Sequence, residues 1–414
     1  MNNIFKISYR NLLRNSRRTM LTASLITLGV VFVLVYSSLA GSFKGYMIGQ
    51  ITDSMMGHVQ IHKKGFVASV ENLPLDKNLN QKQLDKIDEF IKENKMVESY
   101  SYRIKFGAMF SNFVSSTNIR LNAVVPENEF KTLPQLKDRL KGLTDKQNIL
   151  KKGEILVPEL LARGMKVKVG DTIVLVANNK SGSVNGINLK VAGIVEQISG
   201  PGGRDGYIHI DDAKKVLRIK GTEVSEIVVR LNDVSLVPKM IKELQPLGEL
   251  LNQNDKPSFE VHPWTKLSPF YNIIKMLDVM NIAIQIILIS IVLISILNVM
   301  IMSVYERIKE VGTISAMGTP PSTIVKLFLT EGLMLGVFGA ILGGAVSFVI
   351  VKILYMMEIS YSFGKQSTLI LQPTLGLYEI IVVGVIVIFI SLIASVSPAI
   401  KASKLDPVEA LRTN

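Results

Sequence analysis

The chain has no cysteine among its 414 residues. Disulfides, thiolate metal sites and cysteine nucleophiles are therefore excluded together. Histidine is scarce: His58, His62, His209 and His262 are the only four, and none stands in an H-E-x-x-H arrangement. His58 and His62 lie four apart in a strand-like run, too far apart to share a metal easily. No G-x-x-x-x-G-K-[ST] segment occurs, so the chain has no phosphate-cradling loop of that kind. No G-x-S-x-G elbow occurs either. The sequence thus offers no catalytic constellation and no metal site. The one tryptophan, Trp264, stands shortly before an apolar stretch and reads as a packing or interface residue.

Long apolar runs are few and unevenly placed. One covers about 20–40; three more follow a polar gap of over two hundred residues, at about 279–302, 327–351 and 380–400. Each can cross a bilayer as a helix, which takes about 20 apolar residues. The middles of these runs lack ionisable side chains; Asp278, Glu331 and Glu379 fall at ends. Ion-coupled carriers place charges at mid-membrane, so that class is disfavoured. A one-plus-three arrangement with a large domain inserted after the first span suits a machine that moves an external domain.

Net charge is +13, which in a soluble chain would suggest nucleic acid. Here the basic residues flank the spans, and topology accounts for them. Lys6, Arg10, Arg14, Arg17 and Arg18 precede the first span with no acid among them, placing the N-terminus in the cytoplasm. A cleaved signal peptide ending near Ser38-Leu39-Ala40 is the weaker reading, because the apolar run exceeds the usual ~7–15 residues.

The expected fold is a membrane protein with four transmembrane α-helices and a large mixed α+β extracytoplasmic domain. The segments are 1–18, a cytoplasmic amphipathic helix; 19–43, the first span; 44–277, the outer domain; 278–304, the second span; and 305–322, a cytoplasmic helix. The third span, 323–353, the outer loop, 354–376, the fourth span, 377–400, and the cytoplasmic tail, 401–414, complete the chain. In the first segment Lys6, Arg10, Arg14 and Arg17 share one helical face, while Ile4, Phe5, Leu12 and Leu13 share another. Such a helix lies on the membrane surface.

In the outer domain, 54–62 reads as a strand and 81–94 as a helix with Leu84, Ile87, Phe90 and Ile91 on one face. Residues 100–113 and 118–125 read as paired strands. Short strands with Gly and Asn turns suggest a small barrel-like β subdomain at about 150–200. Helices are expected at 211–218 and 237–244, and a strand at 226–231. Gly200, Pro201, Gly202, Gly203, Arg204 and Asp205 cannot form regular structure; they read as a connecting loop or a contact site for an extracytoplasmic partner.

In the third span Gly332, Gly336, Gly339 and Gly343 form two small-x-x-x-small frames that let helices approach closely. The most specific stretch precedes it. Glu306-Arg307-Ile308-Lys309-Glu310-Val311-Gly312 continues into Thr313-Ile314-Ser315-Ala316-Met317-Gly318, with Thr319 as an expected N-cap and Pro320 as the first residue of the next helix. A short charged helix between two spans suits a groove on a soluble partner.

This E-R-x-x-E-x-G-x-x-x-A-x-G run, the one-plus-three order and the tail from Ser397-Pro398-Ala399 to Asp406-Pro407-Val408-Glu409-Ala410-Leu411-Arg412 resemble the FtsX-like permeases of ABC transporters, including the LolC/LolE lipoprotein-releasing and MacB types. Gly57-His58-Val59-Gln60-Ile61 is similar to the start of their extracytoplasmic core domain, and Val191-Ala192-Gly193-Ile194 to the Lol branch. Ser315 departs from the arginine or lysine of many relatives. The resemblance implies a non-catalytic inner-membrane subunit with both termini cytoplasmic. It binds no cofactor itself; ATP and Mg belong to a cytoplasmic ABC ATPase dimer. That dimer would seat on Glu306, Arg307, Lys309, Glu310, Val311, Gly312, Ile314, Ala316, Met317 and Gly318. A second permease subunit, self or paralogue, membrane lipids, a lipoprotein substrate and a periplasmic carrier or fusion protein are the further implied partners. Lipoprotein release is the leading implied function; MacB-type export and FtsX-type control of an extracytoplasmic enzyme are the alternatives.

Overall fold

A computed structural model describes residues 2–14, 16–143, 145, 148–197, 204–250, 258–358, 360–361 and 369–406. Two helices, α1 (Asn2–Arg14) and α2 (Ser16–Ile51), open the chain. Then come β1 (Val59–Lys63), α3 (Gln81–Glu93), β2 (Val97–Ser111), β3 (Ser116–Val124), α4 (Pro126–Thr132) and β4 (Leu140–Lys141). β5 (Glu154–Pro158), α5 (Glu159–Gly164), β6 (Thr172–Asn178), β7 (Val184–Val195), β8 (Gly206–His209) and α6 (Ile210–Leu217) follow. Next are β9 (Glu226–Leu231), α7 (Val237–Leu250), β10 (Phe259–Pro263) and α8 (Trp264–Leu267). The last part holds α9 (Phe270–Glu306), α10 (Ile308–Ala316), α11 (Pro321–Met356), a two-strand pair β11 (Ser360–Tyr361) and β12 (Leu369–Ile370), and α12 (Leu377–Ser403). The chain divides into two compact units: 1–45 with 275–363 and 367–414, and 46–274 with 364–366. Both main divisions fall inside a helix, α2 and α9.

The unit 46–274 is built on one ten-stranded sheet. β9 lies between β1 and β2, antiparallel to both. Its Ile227, Val228 and Val229 are fully buried, as a central strand with both faces covered requires. α3 starts where Asn80 and Gln83 form a reciprocal capping box. Its Leu84, Ile87 and Ile91 enter the core at helical spacing.

The barrel-like pattern expected at 150–200 extends beyond those limits. Pairing runs β2–β3, β3–β8, β8–β5, β5–β7, β7–β6 and β6–β2, which closes a ring of six strands. The ring therefore takes in β2, β3 and β8 from outside the expected stretch. Closure removes the free edges that such short strands would otherwise expose.

The strand expected at 54–62 begins late. Thr52–Met56 forms a π-helical turn, and β1 starts only at Val59. Gly57 causes the change of course. Its φ is +67°, and a Cβ there would lie 2.4 Å from a Val228 methyl, so only glycine fits. His58 follows the turn and His62 lies within β1, so the two do not share one strand.

Among the described residues, four helical segments are long and apolar enough to cross a membrane. α2, α9 and α11 have 36, 37 and 36 residues, about 55 Å each at 1.5 Å per residue. The hydrocarbon core is only about 30 Å thick. The expected spans 19–43, 278–304 and 323–353 are thus the inner portions of longer helices. Packing is close where side chains are small. A Cβ on Gly332 or Gly336 would come within 1.8 Å or 2.8 Å of Ser395 or Ser391 on α12. A Cβ on Gly339 or Gly343 would come within 2.3 Å or 2.5 Å of Ile26 or Val30 on α2. The two glycine frames thus seat two different helices, both in the same chain. Gly29 likewise lets α2 approach Val292 on α9. Lys44–Asp278 at 2.7 Å and Gln285–Ser37 at 2.7 Å tie α2 to α9.

Candidate functional site

The site builds up around α10. α9 stops because Arg307 leaves helical geometry, with φ −111° and ψ 17°. α10 then runs nine residues and ends in a Schellman motif. Gly318 sits at φ +87°, its N–H donates to the Ser315 carbonyl, and the Thr319 N–H donates to the Ile314 carbonyl. Only glycine adopts this conformation at low cost. The start of α11 differs from expectation by one residue: Pro320 is the N-cap and Pro321 the first helical residue, with no side-chain cap from Thr319.

Burial sorts the ten residues assigned to this helix into two sets. Glu306, Lys309, Glu310, Ile314, Ala316, Met317 and Gly318 are exposed. Met317 is 73% exposed. Arg307, Val311 and Gly312 are buried. Val311 belongs to the helical core with Ile324 and Phe328. These three lie on the buried side of the helix, behind the exposed seven.

Arg307 makes the principal fixing contact. Its Nη1 lies 2.8 Å from Glu331 Oε1 on α11, and both side chains are over nine-tenths buried. Asn11 of α1 donates to the same oxygen at 3.1 Å. Ser8 donates to the Leu327 carbonyl at 3.2 Å. Arg14 reaches Glu310 at 2.5 Å, an exposed pair that adds little. A cavity of about 20 Å³, lined partly by Asn11, Thr22, Ser303, Arg307 and Glu331, adjoins the pair. It has room for about one water. Three helices are therefore pinned around one buried ion pair. The face of α1 that packs is Ser8, Asn11 and Leu12, while Phe5 and Leu13 are exposed.

The expected extracytoplasmic contact loop is divided. Gly200, Pro201, Gly202 and Gly203 lie outside the described residues. Arg204 is exposed. Asp205 is buried, accepts from Asn122 at 3.3 Å and stands 3.5 Å from Arg120 Nε. Its place is in the fold of the loop's base.

A second buried charge network escaped the sequence reading. Arg103 on β2 contacts Glu129 at 2.6 Å and Glu226 at 2.9 Å. Glu226 also meets His62 and Lys105 at 3.3 Å and 3.4 Å. Burial alone would raise the Glu226 carboxyl. Lys105, the His62 hydrogen bond and Arg103 instead hold it well below the usual carboxylate range. Nearby His262 is pushed down to about 4 by burial first and by His62 second. Among the described residues, no group of three His, Cys, Asp or Glu is placed to hold a metal. The network is a structural brace.

Comparison with known proteins fits this architecture. Residues 19–247 match the MacB-like periplasmic core domain, and residues 282–407 match the FtsX-like permease C-terminal domain. LolC of Neisseria meningitidis, a lipoprotein-releasing system transmembrane protein, is 21% identical over 95% of this chain and 94% of its own length. An uncharacterized ABC transporter permease of Methanocaldococcus jannaschii is 22% identical over 60% of this chain. The macrolide export ATP-binding/permease protein MacB of Bdellovibrio bacteriovorus is 26% identical over 55% of it. The matched region spans 58% of the archaeal permease and 35% of that MacB. With the core domain matched over more than half its length and the permease domain following, this chain belongs to the FtsX-like ABC transporter permeases that carry a MacB-like periplasmic core domain.

Proposed function

We propose that this chain is the non-catalytic inner-membrane subunit through which a separate cytoplasmic ATPase dimer drives the outer domain. The work done would be release of lipoproteins from the membrane. The observation that carries the coupling role is α10: an exposed face with Ile314 and Met317, set on a base fixed by Val311 and the Arg307–Glu331 pair. Apolar anchors on a rigid mount suit a groove in a partner. ATP and Mg would be held by that partner. Motion of α10 would pass to α11 through the buried pair and to α2 and α9 through the close helix contacts. α2 and α9 are the helices within which the two units divide, so each carries the chain from one unit to the other.

The topology that goes with this puts α10 and both ends of the chain in the cytoplasm, and the core domain outside. A second permease subunit, identical or paralogous, would complete the membrane core. Lipoprotein release is favoured over macrolide-type export because the LolC match runs through nearly the whole chain, while the MacB match covers about half. The export reading keeps some support from its higher identity, 26% against 21%. Depletion of the chain in its host decides between them. Lipoproteins should accumulate in the inner membrane; normal lipoprotein sorting, with altered tolerance of small molecules instead, would sink the lipoprotein reading.

A further inference from the structure

α11 and α12 leave an apolar furrow open on the outside of the helical unit. The two helices meet along its floor. A Cβ on Gly344 would lie 2.9 Å from an Ile380 methyl, and one on Gly384 would lie 3.7 Å from the Ala340 methyl. Ile341, Phe348, Ile381 and Val385 are exposed and form its walls. The furrow has a volume of about 700 Å³, and no lining side chain is polar.

Its position along the helices is specific. On α11 it runs from Ala340 to Val349, and on α12 from Leu377 to Ile388. The apolar runs of these helices, 327–351 and 380–400, have their midpoints near 339 and 390. Each helix therefore lines the furrow only with the half nearest the connection between them. The stretch from Ala340 to Val349 is about 14 Å long at 1.5 Å per residue. A single leaflet supplies half of a hydrocarbon core about 30 Å thick, so the furrow is about as long as one leaflet is deep. Towards the other half the helices close on each other, because Gly336 brings α11 against Ser391 and Ile388.

A cation stands at the open end. Lys352 directly follows the apolar run of α11, and Ile341, Ala345, Phe348 and Lys352 share one helical face. Lys352 is exposed, and among the described residues neither Glu358 nor Glu379 pairs with it. Glu379 folds back towards Gly376 instead. A lysine at this depth lays its stem along apolar surface and holds its ammonium at the interface, where lipid phosphates lie. Topology does not account for it, because the basic residues that set orientation are cytoplasmic, and in the orientation proposed above Lys352 is at the outer end. Length, apolarity and charge agree on a phospholipid, with one tail in the furrow and its phosphate at the ammonium. A helix from a second copy would run through both leaflets, whereas the furrow stops at the midplane. The acyl anchor of a lipoprotein has no phosphate to offer.

We infer that the α11–α12 furrow is a binding site for an anionic phospholipid, its tail along Ala340–Val349 and its headgroup phosphate at Lys352. Which leaflet supplies the lipid rests on the proposed topology; the site itself does not, and it is independent of α10. The test uses the full chain with its ATPase in phosphatidylcholine nanodiscs that contain a small share of phosphatidylglycerol with a diazirine in its tail. Illumination and peptide mass spectrometry should place the adduct on the furrow segments of α11 and α12, and unlabelled phosphatidylglycerol should compete. Ala345→Trp fills the furrow from an exposed position and should abolish that adduct. Leu342→Trp, exposed on α11 but outside the furrow, should leave it unchanged. Lys352→Gln should raise the mole fraction of phosphatidylglycerol needed for half competition roughly fivefold. Equal labelling of wild type and both tryptophan variants would mark ordinary surface lipid and overturn the proposal. So would a competition curve unmoved by Lys352→Gln. The chain has no cysteine, so Ala345→Cys supplies a single thiol; efficient disulfide-linked pairing through it would put a second copy in the furrow and overturn the proposal too. Accessibility that placed α10 outside would overturn the topology alone, since adduct and competition are read without reference to leaflet.

Discussion

Removing Glu331 strands a guanidinium inside the helix bundle. Arg307 is buried, its Nη1 is paired to Glu331 at 2.8 Å, and among the described residues its Nη2 has no hydrogen-bond partner. The remaining acid, Glu310, stands 3.6 Å from Nε and is half exposed. Breaking a buried pair from one side costs about 3–5 kcal/mol, because the charge left behind is uncompensated. Glu331→Ala should therefore destabilise the helical unit by about 3 kcal/mol. If the loss falls on the α10 mount, the population of correctly set α10 drops roughly a hundredfold. Replacing both partners by methionine should cost far less, about 1 kcal/mol or below, because no charge stays buried. The assay is reversible unfolding in mixed micelles for wild type, Arg307→Met, Glu331→Met and the double variant, with ATPase co-purification for each. The cycle should yield an interaction energy of about 2 kcal/mol or more. Additive single effects, or a Glu331 loss below about 0.5 kcal/mol, would refute the pin.

The glycine contacts give a graded prediction. Gly332→Val and Gly343→Leu should each cost about 1–3 kcal/mol by overpacking, since their Cβ atoms would sit 1.8 Å and 2.5 Å from neighbouring side chains. Gly384→Ala should be nearly neutral in the same unfolding assay, because its nearest neighbour is 3.7 Å away. In the outer unit, the His262 pKa near 4 lies below its unfolded value of about 6.5, so protonation favours unfolding. The neutral ring's contribution is complete above about pH 6.5 and is lost as pH falls towards 4, by about 1–2 kcal/mol after solvent screening. His262→Gln should flatten that part of the unfolding profile; an unchanged slope would exclude this group as its source.

Elements with local causes were legible in the sequence. The four apolar runs announce the long helices, the helical spacing of Leu84, Ile87, Phe90 and Ile91 announces α3, and the apolar run in 226–231 announces β9 at its observed limits. What escaped depends on partners far apart in the chain. β6 closes the strand ring by pairing with β2, over sixty residues earlier, and no periodicity reports that. Arg307 read as a docking charge because it stands in one charged run with Glu306, Lys309 and Glu310. Its burial follows from Glu331, 24 residues on. Glu331 in turn read as a span-end acid, because its buried partner lies on another helix. The glycine spacing revealed a close-packing face, but not that its two halves meet α12 and α2.

The most direct measurement of the central claim is ATP turnover by the reconstituted complex of this chain and its ATPase, compared with Ile314→Asp, Met317→Asp and Lys309→Ala variants. Ile314 and Met317 are exposed apolar residues on α10, whereas Lys309 is an exposed charge. Truncating or charging an apolar anchor costs about 2 kcal/mol or more, and a rim charge costs much less. The account predicts that the two aspartate variants insert and fold as wild type yet fail to retain or stimulate the ATPase, while Lys309→Ala stays close to wild type. Wild-type retention and turnover in both aspartate variants would contradict it.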